Sequence, residues 1–317
     1  TDKVTVKNWF AGERYYIERF EFADGTVWNV NTIRGKALEY IGAEGADNMV
    51  GQAGIDILRG LGGDDTLNGG NGNDFLLGGD GNDTLSDTSG KALFDGGAGN
   101  DTLTGGAGAE LYIGGTGNDT LTTGAGNDII LFNAGDGQDT FASGGSGSDT
   151  LSLGGGIGYG DLAFSKSGND LVLTTGDDDQ ITFQNWYSSS PSRPVVTLQM
   201  IAEAMEGFDS GGTNPLLDHK IETFNFAGLV NAFDAARTAT PALTSWALTN
   251  ALLDYHLSGS DTAALGGDLA YQYGKTGALA DVGFTAAQEI VGNANFGAQA
   301  QTLKPLSELQ AGTVRLG

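Results

Sequence analysis

The chain has 317 residues, a net charge of −25, 54 glycines and no cysteine. Its length allows two or three structural units with a sizeable core, while its charge argues against nucleic acid or an anionic membrane as a partner. Without disulfides another staple is needed, and a bound metal is the obvious candidate; no run of 18 apolar residues predicts a membrane span.

Residues 1–41 carry strand-like runs at Lys3–Phe10 and Tyr16–Phe22, then a turn at Asp24-Gly25 and a further run at Thr26–Val30. They read as an N-terminal flanking module. The chain opens at Thr1 in mid-pattern, without a Met start or a signal peptide, which predicts a piece of a larger protein.

A nine-residue period governs residues 42–153. Aspartate recurs as Asp47, Asp56, Asp65, Asp74 and Asp83, then as Asp101, Asp119 and Asp128. Glycine-rich steps precede most of them, and a large apolar residue follows two places after each. With the residues at the same step after Ala92 and Glu110, these are Met49, Leu58, Leu67, Leu76, Leu85, Phe94, Leu103, Tyr112, Leu121 and Ile130. They are expected to point inward and stack as a hydrophobic spine. The block holds seventeen acidic residues against only Arg59 and Lys91. Glycine and charge at these levels usually signal disorder, but a strict period does not. Hard carboxylate oxygens at a fixed step predict a ladder of sites for Ca2+.

Each residue type has a physical reason to be there. The glycines permit tight turns that aim backbone carbonyls inward, so Gly72, Gly81, Gly99 and Gly117, with Asp80, join the aspartates as candidate ligands. Asn73, Asn82, Asn100, Asn118 and Asn127 are expected to tolerate the same positive-φ conformations. The period then loosens. Asp139 comes 11 residues after Asp128, and Asp149 ten later, predicting two further ion turns on a wider last coil.

Residues 154–235 return to strand patterns: Leu162–Ser165, Asp170–Thr174 and Gln180–Trp186. Asp177, Asp178 and Asp179 read as a charged turn between strands. The pattern Asp2–Phe10 repeats at Asp179–Tyr187, and Ile17–Phe22 repeats at Ile221–Phe226. The second copy carries a long insertion at about 190–219, containing Pro191, Pro194 and Pro215. Stacked coils need a cap at each end, so Trp9, Phe20, Phe22, Trp186, Phe224 and Phe226 are expected to be core. Residues 236–317 are Ala-rich and low in charge, with an amphipathic stretch at Phe284–Phe296. They predict helical pieces broken at Pro241 and Pro305.

Only two histidines exist, His219 and His256, and no His-Glu-x-x-His or Gly-x-Ser-x-Gly motif occurs. No catalytic residue is expected, and both histidines read as structural.

The repeat written out, G-G-x-G-x-D-x-U-x with U large and apolar, resembles the RTX (repeats-in-toxin, haemolysin-type) calcium-binding family over residues 42–153. The flanks resemble the non-repeat modules beside RTX blocks in large secreted proteins. The resemblance implies a mainly β fold: a right-handed parallel β-roll with two nonapeptides per coil, β-strand capping modules and a partly helical C-terminal segment. It therefore sorts the aspartates by edge. Asp47, Asp65, Asp83, Asp101 and Asp119 share one edge, where up to four ions are expected between the five turns. Asp56, Asp74, Ala92, Glu110 and Asp128 share the other, expected to be weak or empty around Ala92 and Glu110. The resemblance also implies secretion or display at a bacterial cell surface. The transient partner would be a type I secretion machinery reading an uncleaved signal from near Ser258 to Gly317, with export unfolded at low cytosolic calcium. Two other readings stay open. One is an adhesin segment gripping a glycan or partner through 190–219 with Trp186 and Tyr187. The other is the non-catalytic tail of a secreted hydrolase. Nothing in the sequence sets an oligomeric state.

Overall fold

The structure, a computed structural model, describes residues 39–142, 145–176, 178–189, 193–312 and 314–316, and the backbone alone at 19–21, 27–29 and 38. Consecutive nonapeptides alternate between two ten-stranded sheets. In the first sheet Thr66, Thr84, Thr102 and Thr120 lie side by side. In the second Leu58, Leu76, Phe94, Tyr112 and Ile130 do so. Every step is 18 residues and every pair is parallel, so two nonapeptides complete one coil of a parallel β-solenoid of about six turns.

The spine lies where the period puts it. Leu58, Leu67, Leu76, Leu85, Phe94, Leu103, Tyr112, Leu121 and Ile130 are buried between the sheets. Met49, at the open end, is half-buried against them. Strand geometry sends successive side chains to opposite faces, and the outer faces differ. The first sheet presents exposed Thr66, Thr84 and Thr102. The second presents Ile57, Phe75, Leu93, Leu111 and Ile129, which are buried beneath two C-terminal helices, Gly267–Thr276 and Phe284–Val291. Phe284, Ala287, Ile290 and Val291 recur at helical spacing and form the buried stripe. Phe284 meets Phe75 edge to face at 4.9 Å.

The C-terminal flank closes the roll. Asp170–Thr174 is a strand as expected, and Leu162–Ser165 moves slightly to Ala163–Ser167. Gln180–Trp186 shortens to Gln180–Phe183, because Asn185 adopts φ +57 and turns the chain. The 190–219 insertion contains a strand. Val195–Met200 is a strand running parallel to Asp149–Gly154, with Val195, Leu198 and Met200 buried. Helix also begins earlier than expected. The strand Ile221–Asn225 leads straight into the helix Phe226–Ala239, whose first turn is capped by the Asn225 side chain accepting from Gly228 N at 2.8 Å. Trp186, Phe224 and Phe226 are buried at this end of the roll, with Phe164, Phe183 and Phe233 around them. Near the N-terminus, Arg19–Glu21 pairs antiparallel with Val27–Asn29 as a separate two-stranded sheet. The expectations for Lys3–Phe10 and for the side chains of Trp9, Phe20 and Phe22 lie outside the described residues.

One coil position breaks its own rule. Leu61 stands in register with Gly79 and Gly97, and all three have positive φ; that of Leu61 is +82°. A left-handed non-glycine residue costs about 1–2 kcal/mol, against about 0.4–1 kcal/mol for the extra unfolded freedom of glycine. Leu61→Gly is expected to stabilise the calcium-loaded chain by roughly 0.5–1 kcal/mol; a lower urea midpoint in the variant would refute this.

Candidate metal centre: two edges of buried carboxylates

Each coil turns twice, and the two turns stack into separate edges. On the first edge the main-chain N–H of each aspartate donates to the Oδ1 of the aspartate one coil later. The pairs are Asp47 to Asp65, Asp65 to Asp83, Asp83 to Asp101 and Asp101 to Asp119, all at 2.7 Å, then Asp119 to Asp139 at 3.0 Å. The other carboxylate oxygen of Asp65, Asp83, Asp101 and Asp119 is buried without a hydrogen-bond partner. The glycine five residues before each aspartate makes room. A methyl group on Gly60, Gly78 or Gly96 would collide with that free oxygen and with a glycine carbonyl oxygen of the next coil. Carboxylate and carbonyl oxygens therefore converge beside each glycine Cα.

The second edge repeats the scheme with changes. Asp56 N donates to Asp74 Oδ1 at 2.8 Å, Glu110 N to Asp128 Oδ1 at 2.8 Å, and Asp128 N to Asp149 Oδ1 at 3.1 Å. Ala92 is buried and supplies no oxygen. Asp139 and Asp149 thus keep edge register despite their longer spacing, Asp139 on the first edge and Asp149 on the second.

Three expectations are corrected or extended by this geometry. Asp80 sits at the exposed end of the strand Phe75–Asp80, so its carboxylate is outside the buried rows. The asparagines are not turn residues of positive φ: among the described residues only Leu61 and Asn185 are non-glycines with that conformation. Instead Asn82, Asn100 and Asn118 form a second ladder along the first edge, and Asn127 accepts in the same way on the second. Asn82 Oδ1 accepts from Asn100 N at 2.9 Å, Asn100 Oδ1 from Asn118 N at 2.8 Å, and Asn127 Oδ1 from Ser148 N at 3.0 Å. Gly72, Gly81, Gly99 and Gly117 do have positive φ, and a side chain on any of them would strike a glycine carbonyl of the preceding coil.

Asp87 has no counterpart among the expected ligands. It occupies the register position of Gly69 and Gly105 and is buried. Its Oδ1 accepts from Ser89 N at 2.9 Å, and its Oδ2 has no partner. A methyl placed on Gly69 would lie 2.8 Å from Asp74 Oδ2 and 2.9 Å from Asp87 Oδ2. A carboxylate therefore reaches the second edge in the very coil that lacks one at Ala92. Further along, Asp179 extends the first edge, accepting from Gly135 N at 2.7 Å and Gly137 N at 3.2 Å.

Without cations these rows oppose folding. Burial pushes Asp74 up to about 8, with the charges of Asp87 and Asp56 adding to it, and Asp139 up to about 8. Burial likewise raises Asp101 to about 7 and Asp119 and Asp87 to about 6. Glu110 is also raised, by burial and by the charge of Asp128, and Asp128 is raised by burial and by the charge of Asp149. Carboxyls ordinarily titrate near 4. A folded-state pKa above the unfolded one stabilises the fold at low pH, and that contribution is lost as pH rises through the folded value. Metal-free protein should therefore recover β signal in circular dichroism as pH falls from about 8 towards 4; a loss of signal on acidification would contradict it.

The residues fit a hard divalent cation. Buried anionic oxygens without partners, next to converging carbonyls, are the donor set that calcium takes, and an uncompensated buried charge is too costly to persist. Fold and site together define a calcium-binding parallel β-roll. Residues 41–76, 77–109 and 104–139 match the RTX calcium-binding nonapeptide repeat (4 copies), and residues 1–32 match the haemolysin-type calcium binding protein related domain. The chain carries RTX calcium-binding nonapeptide repeats, and these imply Ca2+ at several of them. Among solved structures, the extracellular lipase LipA from Serratia marcescens is 21% identical over 47% of this chain, with a TM-score of 0.23. The match spans 37% of the lipase chain. No curated protein matches. No described helix is long and apolar enough to cross a membrane.

Proposed function

We propose that this chain is a calcium-driven folding module, exported unfolded by a type I secretion machinery and folded by Ca2+ outside the cell. Calcium is structural in this reading, and no catalysis is assigned. The observation that carries it is the row of buried carboxylate oxygens without partners along both edges. Extracellular calcium modules bind at about 10⁻⁴–10⁻³ M, above cytosolic levels, so carboxylate repulsion keeps the chain open until it leaves the cell. Binding energy then becomes folding energy. The segment from near Ser258, which would carry the export signal, also supplies the helices covering the second sheet. In this reading the exporter engages the segment before that face is covered.

Asp47, Asp65, Asp83, Asp101, Asp119 and Asp139 would hold the ions of the first edge. Asp56, Asp74, Asp128 and Asp149 would hold those of the second. Glycine carbonyls of the turns, including those of Gly72, Gly81, Gly99 and Gly117, would complete the sets. Asp87 replaces the ligand missing at Ala92 and works with Asp74, so the second edge is continuous rather than empty there. Native mass spectrometry at millimolar calcium tests this assignment. Asp87→Asn should carry one ion fewer than the parent chain. An unchanged ion count would mean that the edge is broken at Ala92, and a parent chain carrying no calcium would sink the whole reading.

A further inference from the structure

His219 lies in the bend just before one capping strand and His256 at the start of another, both far from the repeats in sequence, and they converge on one buried acid. Glu222 belongs to the strand Ile221–Asn225 and pairs with Gly259 of the neighbouring strand His256–Ser260. Its side chain is fully buried. One oxygen, Oε2, lies 2.7 Å from His256 Nε2. The other, Oε1, has no hydrogen-bond partner. That free oxygen faces His219 Nδ1 at 3.7 Å, and the same nitrogen lies 3.0 Å from Asp218 Oδ1. The three ligand atoms are all within 4.8 Å of one another. Glycine at 259 keeps the space open, since a methyl there would lie 2.5 Å from His219 Nδ1 and 2.9 Å from Glu222 Oε2.

We infer that Asp218, His219 and Glu222 form a site for a borderline divalent transition metal, of which Zn2+ is the natural probe, with His256 positioning Glu222. The distances suit such an ion. Zinc bonds of about 2.0–2.1 Å in a tetrahedron set ligand atoms roughly 3.4 Å apart, and 3.0 and 3.7 Å bracket that edge. The charges suit it as well: Asp218 and Glu222 bring two negative charges, which a dication cancels. An imidazole nitrogen among few ligands selects against calcium, which takes six to eight oxygens. The ligand carboxylate is held by a second residue, as ligands of bound metals usually are. Three protein ligands leave a fourth position for water. Nearby Lys220 does not compete, because its Nζ is directed to Glu203 at 3.6 Å. Asp261, whose Oδ1 accepts from Lys220 N at 3.0 Å, adds further negative charge at the rim.

The test is a Zn2+ titration by calorimetry on the untagged full chain at saturating calcium, where the calcium edges are already filled. One zinc per chain is expected, with uptake abolished in His219→Ala and weakened about 10–100-fold in His256→Ala. Co2+ in place of zinc should give the intense visible bands of tetrahedral coordination, lost in His219→Ala. His219 is partly exposed, so the variant should fold; if it does not, Asp218→Asn serves the same purpose. Absence of zinc uptake, or uptake unchanged in the variants, would overturn the site in favour of a plain histidine–carboxylate ion pair. Neither result bears on calcium-driven folding, which the calcium titration reads separately.

Discussion

Phe94→Ala is expected to destabilise the calcium-loaded chain by about 3–5 kcal/mol, the usual cost of deleting a buried aromatic ring. Phe94 is fully buried and stacks on Tyr112 of the next coil at a centroid distance of 5.0 Å. Leu76 flanks it on the other side in strict register. Few neighbours are free to collapse into the space, because each coil gives the spine one residue per sheet and backbone pairing fixes its height. In a solenoid the loss also falls on the interfaces with both neighbouring coils. Urea unfolding at saturating calcium measures it; a change below about 1 kcal/mol would show that the spine is not the stabilising core.

Asp101→Asn is expected to shift the calcium midpoint upward by about tenfold or more, since charge count sets affinity in such sites. Asp101 Oδ1 accepts from Asp83 N at 2.7 Å, and an amide oxygen preserves that bond. The other oxygen is the buried one without a partner, and there the substitution places an NH2 group facing the ion. The variant therefore loses a ligand while keeping the ladder. In metal-free protein the sign reverses. Burial pushes Asp101 up to about 7, helped by the charges of Asp119, Asp83 and Asp95. Removing that carboxyl should make the metal-free chain less sensitive to rising pH. A residue with a merely structural role would move both states in the same direction, and an unmoved midpoint would remove Asp101 from the ligand set.

Much of this architecture is legible in the amino-acid order, because a repeat carries its register openly. The step of 18 residues follows from aspartates nine apart once two nonapeptides share a coil. The inward spine follows from position alone. A second signal is present but easily passed over. Alternate nonapeptides place Ile57, Phe75, Leu93, Leu111 and Ile129 just before the inward residue, while the others place Asn48, Thr66, Thr84, Thr102 and Thr120 there. That contrast predicts one outer face in water and one covered, and the covering helices complete it. Asp87 escapes motif reading because it stands in a glycine slot, and only its alignment with Gly51, Gly69 and Gly105 reveals it. The strand Val195–Met200 is hidden by Pro191 and Pro194, which disfavour a strand, although Pro194 O accepts from Asp149 N at 2.9 Å and ties the segment to the roll. The asparagine ladder depends on contacts between coils, which local conformational preference does not report. The convergence of His219, Glu222 and His256 depends on an antiparallel pairing between strands 34 residues apart, with no motif to announce it.

The most direct measurement is far-ultraviolet circular dichroism of the whole chain, stripped of metal at neutral pH and titrated with calcium. The account predicts an unfolded spectrum in excess chelator and a sharp transition to β structure, with a midpoint at about 10⁻⁴–10⁻³ M calcium. An unchanged β spectrum in excess chelator would contradict it.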